Sequence, residues 1–519
     1  MKKLHLLFLL ITCSANIALA QFPPILWKKC LGGGNDERAY TMRPTFDSGF
    51  ILAGSSRSDD TNVTGNHGGL DYWIVKVSDT GGIQWKRCLG GSGDEEPTSI
   101  VPTRDSGYIV AGYSTSADGQ VSGHHGAAGT ADYWIVKLNY TGDIVWQRSY
   151  GGAATDMPLS IRPTKDDGYI VAGYSNSTSG DVTGSHGNYD YWVLKISDSG
   201  AIQWQRSLGG INDDLGYSVL QTDDEGYIVL GYTGSNNGDV SGNHGDGDYW
   251  LAKLDASGTL QWQKAYGGSN MDEGICVQPT YDGGYIMAGN SYSDDGDITG
   301  HHTSSTFHRD IWVVKTDDTG GVQWEKSLGG TGAEELNAIA QNGDGDYLVA
   351  GTTQSVDGDV AGHIGNFDSW IVQLTPGGDV VSQKCLGGSG YDAAVAIYPA
   401  ADQGLVILSA TTSTDGEVVG NHGGYDYWLV KLGYPHTTSA PPAATQQHIG
   451  ITPNPTTASF TITGINTSCI KIYDALGNLA TETINSNTIK ADNLSAGVYI
   501  MVLLDADGSV VFRSKVVKL

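Results

Sequence analysis

The chain is 519 residues long and strongly acidic, with 57 Asp and Glu against 29 Lys and Arg and a formal charge of −28. That length exceeds one ordinary core and suits a large repeat array with a small domain beside it. An acidic surface argues against nucleic acid and anionic membranes as partners, and it is compatible with solubility, cations or basic partners.

The first twenty residues, MKKLHLLFLLITCSANIALA, combine two lysines, an apolar run and an Ala-Leu-Ala ending. The pattern predicts a secretory signal peptide over residues 1–20, cut before Gln21. Cys13 offers lipidation as an alternative, but Thr12 fits that signal poorly. No other segment is apolar over the length needed for a transmembrane span.

From Trp27 onward one phrase recurs. Trp27, Trp85, Trp146, Trp204, Trp262 and Trp324 open successive units, Ser382 holds the place in a seventh, and the spacings are 58, 61, 58, 58, 62 and 58 residues. A period this regular marks an array of like units. Each unit carries four runs rich in Val, Ile, Tyr and Trp, illustrated by SIVPT (99–103), YIVAGY (108–113), YWIVKL (133–138) and IVWQRS (144–149). Such runs, bounded by Gly, Asp and Asn turns, read as strands, and the consecutive apolar residues call for cover on both faces. Four strands per unit describe a β-propeller blade.

The Asp that opens the third run recurs at Asp71, Asp132, Asp190, Asp248, Asp310, Asp368 and Asp426. The seventh unit stops at Leu432 without a fourth strand, whereas ILWKKCLGG (25–33) is an orphan fourth strand at the start. Residues 21–434 are therefore expected to form an all-β, seven-bladed propeller, with the N-terminal strand closing the last blade and removing its open edge. Cys30, Cys88 and Cys385 share one fourth-strand position in neighbouring units, too far apart for a disulfide across outer strands. The absence of a CxxC pair gives no hint of zinc or redox chemistry.

Two polar features keep the period. A carboxylate follows each Gly-Gly by four residues, at Glu37, Glu95, Asp156, Asp214, Asp272, Glu334 and Asp392. Gly-x-His occurs in the loop between the second and third strands, at His67, His125, His186, His244, His302 and His422, while unit six has His363 one place early and Ile364 in the slot. Both connections emerge on one face of a four-stranded blade, so carboxylate, imidazole and third-strand Asp can meet there. Seven repetitions favour a strut that ties down a loop in every blade over an active site, which is needed once. Propellers of the WD type carry a comparable Asp–His–Trp network, by analogy only. The same loops contain Asp-Gly-Asp-Val/Ile, as in 293–300 and 355–362. Alternate oxygen ligands suit calcium, but Asp-Gly is also a common turn, and the full twelve-residue spacing is missing. No resident cofactor is expected.

Recognition is sought where the repeat breaks. The residue before the first-strand Pro runs Arg43, Val101, Arg162, Leu220, Gln278, Ala340 and Tyr398, and inner strands line a propeller's channel. Arg43, Arg162, Gln278 and Tyr398 are its polar members and candidate ligand-binding residues. His308 and Arg309, in the longest loop, are added to them. Tyr189, Phe367 and Tyr425, beside the third-strand Asp, offer faces for sugars or for packing. No GxSxG elbow, HExxH pair or phosphate loop occurs, so no catalytic residue is assigned.

After Leu432 comes a Pro/Ser/Thr/Ala linker over 435–448, then short alternating strands over 449–519 that predict a small Ig-like β-sandwich. This tail resembles the C-terminal sorting domain of type IX secretion (type A). The likeness rests on Pro453-Asn454-Pro455, on Tyr473-Asp474 with Gly477, on the run from Leu494 through Gly497 to Tyr499, and on the closing Lys515 to Lys518 and Leu519. It implies passage across the outer membrane, removal of the domain, the secretion machinery as partner, and release or attachment to lipopolysaccharide. The repeat over Trp27–Leu432 is similar to bacterial surface-protein repeats of the Asp-Gly-Gly-Tyr-Ile-Val-Ala-Gly type, which implies an architecture and no activity. The expectation is a monomeric, secreted or surface-held binding or adhesion protein, with a glycan or another surface protein as ligand. A propeller-fold glycoside hydrolase or lyase, and a purely structural surface component, are the alternatives.

Overall fold

The computed structural model describes residues 22–127, 129–302, 308–400, 402, 404–433, 450–452, 456–463, 469–473, 479–484, 486–504 and 510–518. The expected signal peptide, the linker, and Pro453, Asn454, Pro455 and Gly477 of the sorting signal lie outside them. The chain divides into two compact units, one ending at Tyr434 and the other beginning at Pro435.

Among the described residues the first unit is all strand and turn, arranged as repeated four-stranded antiparallel sheets. We number the sheets by their first strands, which begin at Glu37, Glu95, Asp156, Asp214, Asp272, Glu334 and Asp392. Sheet 2 is representative, with strands Glu95–Pro102, Tyr108–Ser114, Asp132–Leu138 and Ile144–Tyr150 paired in chain order. Its third strand is buried at every residue and its second at all but Tyr113, as expected of β-branched and aromatic runs covered on both faces.

The first strand starts four residues earlier than its apolar run, at Glu95 rather than Ser99. Only the apolar run reads as strand in the sequence, because Glu95, Glu96 and Pro97 ahead of it carry no strand signal. A bulge between Pro97 and Ser99 lifts Thr98 out of the ladder, and the strand continues through the proline. The same bulge recurs in the first strand of every other sheet.

Sheet 7 takes its outer strand from the other end of the unit. Ile25–Leu31 pairs antiparallel with Asp426–Leu432, so the order is Ile25–Leu31, Asp426–Leu432, Leu405–Thr411, Asp392–Pro399. Gly433 N donates to the Pro24 carbonyl at 3.0 Å, and Phe22 is buried in the same apolar cluster as Leu432.

Each sheet packs on the next, and the first strand of sheet 1 packs on sheet 7. The third-strand tryptophans (Trp73, Trp134, Trp192, Trp250, Trp312, Trp370, Trp428) are fully buried between sheets. Five third-strand tyrosines staple the packing: Tyr72, Tyr133, Tyr191, Tyr249 and Tyr427 each donate a hydroxyl to the carbonyl of the next sheet's tryptophan at 2.9–3.0 Å. The first strands also touch one another in sequence around the unit, and the last touches the first, which closes the sheets into a ring. This is the arrangement of a β-propeller.

The second unit holds a three-stranded sheet (Gly450–Thr452, Ser459–Thr463, Thr488–Lys490) and a four-stranded one (Leu479–Ile484, Cys469–Tyr473, Gly497–Leu504, Val510–Lys518). Their inward residues, Phe460, Ile470, Ile489, Met501 and Val516 among them, form one core. Of the sorting residues, Gly497 pairs with Lys518, Lys515 lies opposite Ile500, and the Tyr499 hydroxyl donates to the Ser495 carbonyl at 2.9 Å.

Candidate functional site

The recurrent polar residues gather on one face of each sheet, but they divide their bonds differently from the simple imidazole–carboxylate pairing. The third-strand aspartate is the hub. Its Oδ2 accepts the backbone N–H of the Gly-x-His position at 2.5–3.0 Å in sheets 1 to 5 and 7. In sheet 6 the N–H of Ile364 does the same at 2.7 Å, which explains why that slot tolerates a residue without an imidazole. The ring adds a second contact: Nδ1 lies 2.6 Å from the aspartate at His67, His244 and His302 and 2.8 Å at His422, but 3.4 Å at His125 and 3.6 Å at His186. The far nitrogens of His125, His186 and His302 approach Asp181, Asp239 and Asp359 of the following sheet within 3.4–3.9 Å. Burial works against the charged ring of His244, but the bond to Asp248 and the surrounding aspartates outweigh it and raise its pKa.

The carboxylate after Gly-Gly serves its own turn. Glu95 accepts from Gly91 N at 2.7 Å and from the Ser114 hydroxyl at 2.6 Å, and Asp156, Asp214, Asp272, Glu334, Asp392 and Glu37 accept from the matching glycine N–H at 2.5–3.0 Å. Burial pushes Asp156, Asp214 and Asp272 up to about 6, against the pull of these donors. The Asp-Gly-Asp loop folds over the same Gly-Gly turn: Asp295 accepts from Ser269 N at 2.7 Å, and Asp357 accepts from Thr331 N at 2.8 Å. The second glycine is needed because a Cβ on Gly268 would collide with Asp295 and Ser293. Among the described residues no three His, Cys, Asp or Glu side chains converge as a metal site.

A second tie escaped the sequence reading. The buried third-strand lysines Lys76, Lys195, Lys253, Lys315 and Lys431 pair with Asp47, Asp166, Asp224, Asp282 and Asp402 of the D-x-G turns at 2.5–3.0 Å. Lys137 does so with Asp105 at 3.2 Å, and in sheet 6 neutral Gln373 takes the place and donates to Asp346 at 2.7 Å. The signal was present, since the lysine keeps the period as faithfully as the histidine.

The six candidate binding residues do not form one cluster. Arg309 lies by the start of the first strands, where it pairs with Glu335 at 2.6 Å and donates to the Tyr292 hydroxyl at 2.9 Å. His308 precedes it and is partly buried. Arg43, Arg162, Gln278 and Tyr398 sit at the other end of those strands, all partly buried. Arg43 donates to the Tyr398 hydroxyl, and its guanidinium lies 5.3 Å from that ring's centre. Arg162, from sheet 3, feels the charge of Arg43 in sheet 1 and the side chains of Tyr398 in sheet 7 and Cys276 in sheet 5. These residues all belong to first strands, which meet around the inside of the ring. Burial, together with Arg43, pulls the Arg162 pKa down to about 10. The aromatics beside the third-strand aspartate pack on one another or their neighbours: Tyr189 on Tyr174 at 5.1 Å, Phe367 on Tyr391 at 5.1 Å, and Tyr425 on Tyr391 at 5.8 Å.

Residues 450–518 match the family described as Secretion system C-terminal sorting domain. The C-terminal unit is thus a type IX sorting domain, the address of a protein secreted to the cell surface or beyond. Over 262 residues, 46% of this chain, the sequence is 24% identical to the regulatory protein FlaEY of Caulobacter vibrioides. The match spans 27% of that relative, so this chain covers about a quarter of its length. Among solved structures the chain is similar to the Pan2 WD40 domain of Neurospora crassa, with 10% identity and a TM-score of 0.42 over 76% of this chain and 89% of that one. It is also similar to PorZ, a surface component of the type IX secretion system of Porphyromonas gingivalis, with 12% identity and a TM-score of 0.22 over 97% and 88%. The fold assignment rests on the sheets and their registers.

Proposed function

We propose that, once a signal peptide over 1–20 is removed, residues 21–434 act as a closed seven-bladed propeller, joined by the linker 435–448 to an Ig-like sorting sandwich at 449–519. The protein is a monomeric binding or adhesion module for a glycan or another surface protein, and its ligand engages the mouth of the central channel. One observation carries this reading. The polar groups that repeat in every sheet are bonded to their own loops, whereas Arg43, Arg162, Gln278 and Tyr398 occupy one slot with different chemistry, and Arg43, Arg162 and Tyr398 lie near one another. Phe46 and Tyr281 are exposed on the turns just beyond the same strand ends, where an apolar ring face suits a sugar. The repeated His and carboxylate residues are struts, and the Asp-Gly-Asp loops need no calcium.

The test is a glycan array probed with the wild-type protein and with Ala340→Trp, which places a bulky ring at the same slot. Binding by the wild type, independent of chelator and lost in A340W, is expected. Retained binding in a folded A340W protein contradicts the channel, and binding or melting that collapses with chelator and returns with calcium contradicts the strut reading.

A further inference from the structure

Arg43 and Arg162 differ from the buried third-strand lysines and from Arg309. Each buried third-strand lysine has an aspartate. Arg309 has Glu335. Arg43 and Arg162 have no carboxylate partner among the described residues, although the protein carries 57 acidic side chains. Their protein acceptors are few: Arg43 donates to the Met42 carbonyl at 3.2 Å and to Tyr398, and Arg162 donates to the Ile161 carbonyl at 3.1 Å. A guanidinium has five N–H donors and stays charged at any physiological pH, so most of this capacity is left unused by the bonds named here. Two like charges drawn together in a partly dehydrated space oppose folding unless an anion joins them.

We propose that Arg43 and Arg162 form a receptor for one oxyanion, a carboxylate, sulfate or phosphate group, which enters the channel and is held in the fork of both guanidiniums. This rests on the channel-binding reading above and adds the chemical class of the ligand: an acidic glycan or another ligand presenting such a group, in place of a neutral one. Planar guanidinium forks match the paired oxygens of these groups, and two of them give charge and direction together. The Tyr398 ring under Arg43 holds that guanidinium in place, and Gln278 supplies a neutral amide in the same slot. The acidic exterior makes the receptor selective, because an anion finds attraction only inside the channel.

The experiment titrates inorganic phosphate, sulfate and acetate into the full chain by calorimetry at fixed ionic strength, with chloride as control. The same titrations are run on Arg43→Gln/Arg162→Gln and on Arg43→Lys/Arg162→Lys. One saturable oxyanion per wild-type chain is expected, with affinity at least tenfold weaker in the glutamine pair and intermediate in the lysine pair, which keeps charge but loses the fork. The preferred arm among the three anions names the group that the natural ligand carries. In the absence of any anion the glutamine pair should melt at or above the wild-type temperature, because a repulsion has been removed; this checks that the variant is folded. Equal titrations for the wild type and a folded glutamine pair overturn the receptor. If that pair still binds array glycans while A340W does not, the channel reading stands and the oxyanion class falls. If neither variant affects array binding, both fall.

Discussion

Single residues in this protein are governed by repetition, and the exceptions identify what each position does. The second-strand glycine is one such case. A Cβ at Gly173 would overlap the Met157 carbonyl and the Tyr133 hydroxyl that arrives from the preceding sheet. In sheet 6 the tyrosine is replaced by Ser369, and the facing glycine in sheet 7 becomes Ser409; the two hydroxyls bond at 2.9 Å. Gly173→Ala should therefore cost about 1–3 kcal/mol, the usual penalty of overpacking a core. Ser369→Tyr alone should lower the melting temperature, and adding Ser409→Gly should restore it. A tyrosine variant indifferent to residue 409 would sink this pairing. The buried carboxyls make a second prediction. Asp156, Asp214 and Asp272 titrate near 6 in the folded protein, above the unfolded value of about 3.9. A raised carboxyl pKa means that the folded state holds the proton more tightly, so stability falls as pH rises from about 4 through about 6. His244 and His302, raised by their aspartates, act in the same sense at somewhat higher pH. The aspartates lowered by hydrogen bonds and lysines, such as Asp224 at about 2, lose their contribution only below that window. Melting should thus be higher at pH 5 than at pH 7.5, and substituting the three aspartates by asparagine should flatten the slope; a profile rising across that range would contradict the assignment.

At the scale of strands, most of the architecture was legible because the period is strict and the apolar runs are contiguous. The second and third strands are recovered to within a residue. The first strand reads short, from Ser99 only, since its polar half and its bulge leave no apolar pattern in a single sequence. The imidazole's partner was legible only in part: the loop, the carboxylates and the third-strand Asp all stood out, but which bonds which depends on backbone geometry. The Lys–Asp and Tyr–Trp ties were periodic too, and passed for ordinary strand composition. The orphan strand Ile25–Leu31 was legible from counting, and it now makes a direct prediction. Deleting residues 21–33 removes Phe22 from its cluster and strips the edge of Asp426–Leu432. The melting temperature should drop and the protein should associate through that edge. A truncated chain that stays monomeric and melts unchanged would refute the latch.

At the scale of the whole molecule, two independent units divide the labour. The C-terminal unit carries the sorting signal, and the first closes its sheets into a ring. The acidic excess sits on the first unit and its linker, since residues 449–519 carry equal numbers of acidic and basic side chains. Against that background the convergence of Arg43 and Arg162 could not be foreseen in detail. The sequence placed both in one slot, but only the ring brings sheets 1, 3, 5 and 7 to a common space. The central claim is that recognition resides in this non-repeating slot and not in the repeated His–carboxylate network. The most direct measurement compares binding on one acidic-glycan array by wild type, Arg43→Gln/Arg162→Gln and His244→Ala. Loss of binding is expected in the arginine pair and wild-type binding in H244A, which gives up the ring contact but keeps the backbone N–H bond to Asp248, so that its defect is confined to a modest fall in melting temperature. Loss of binding in H244A with retention in the arginine pair would contradict it.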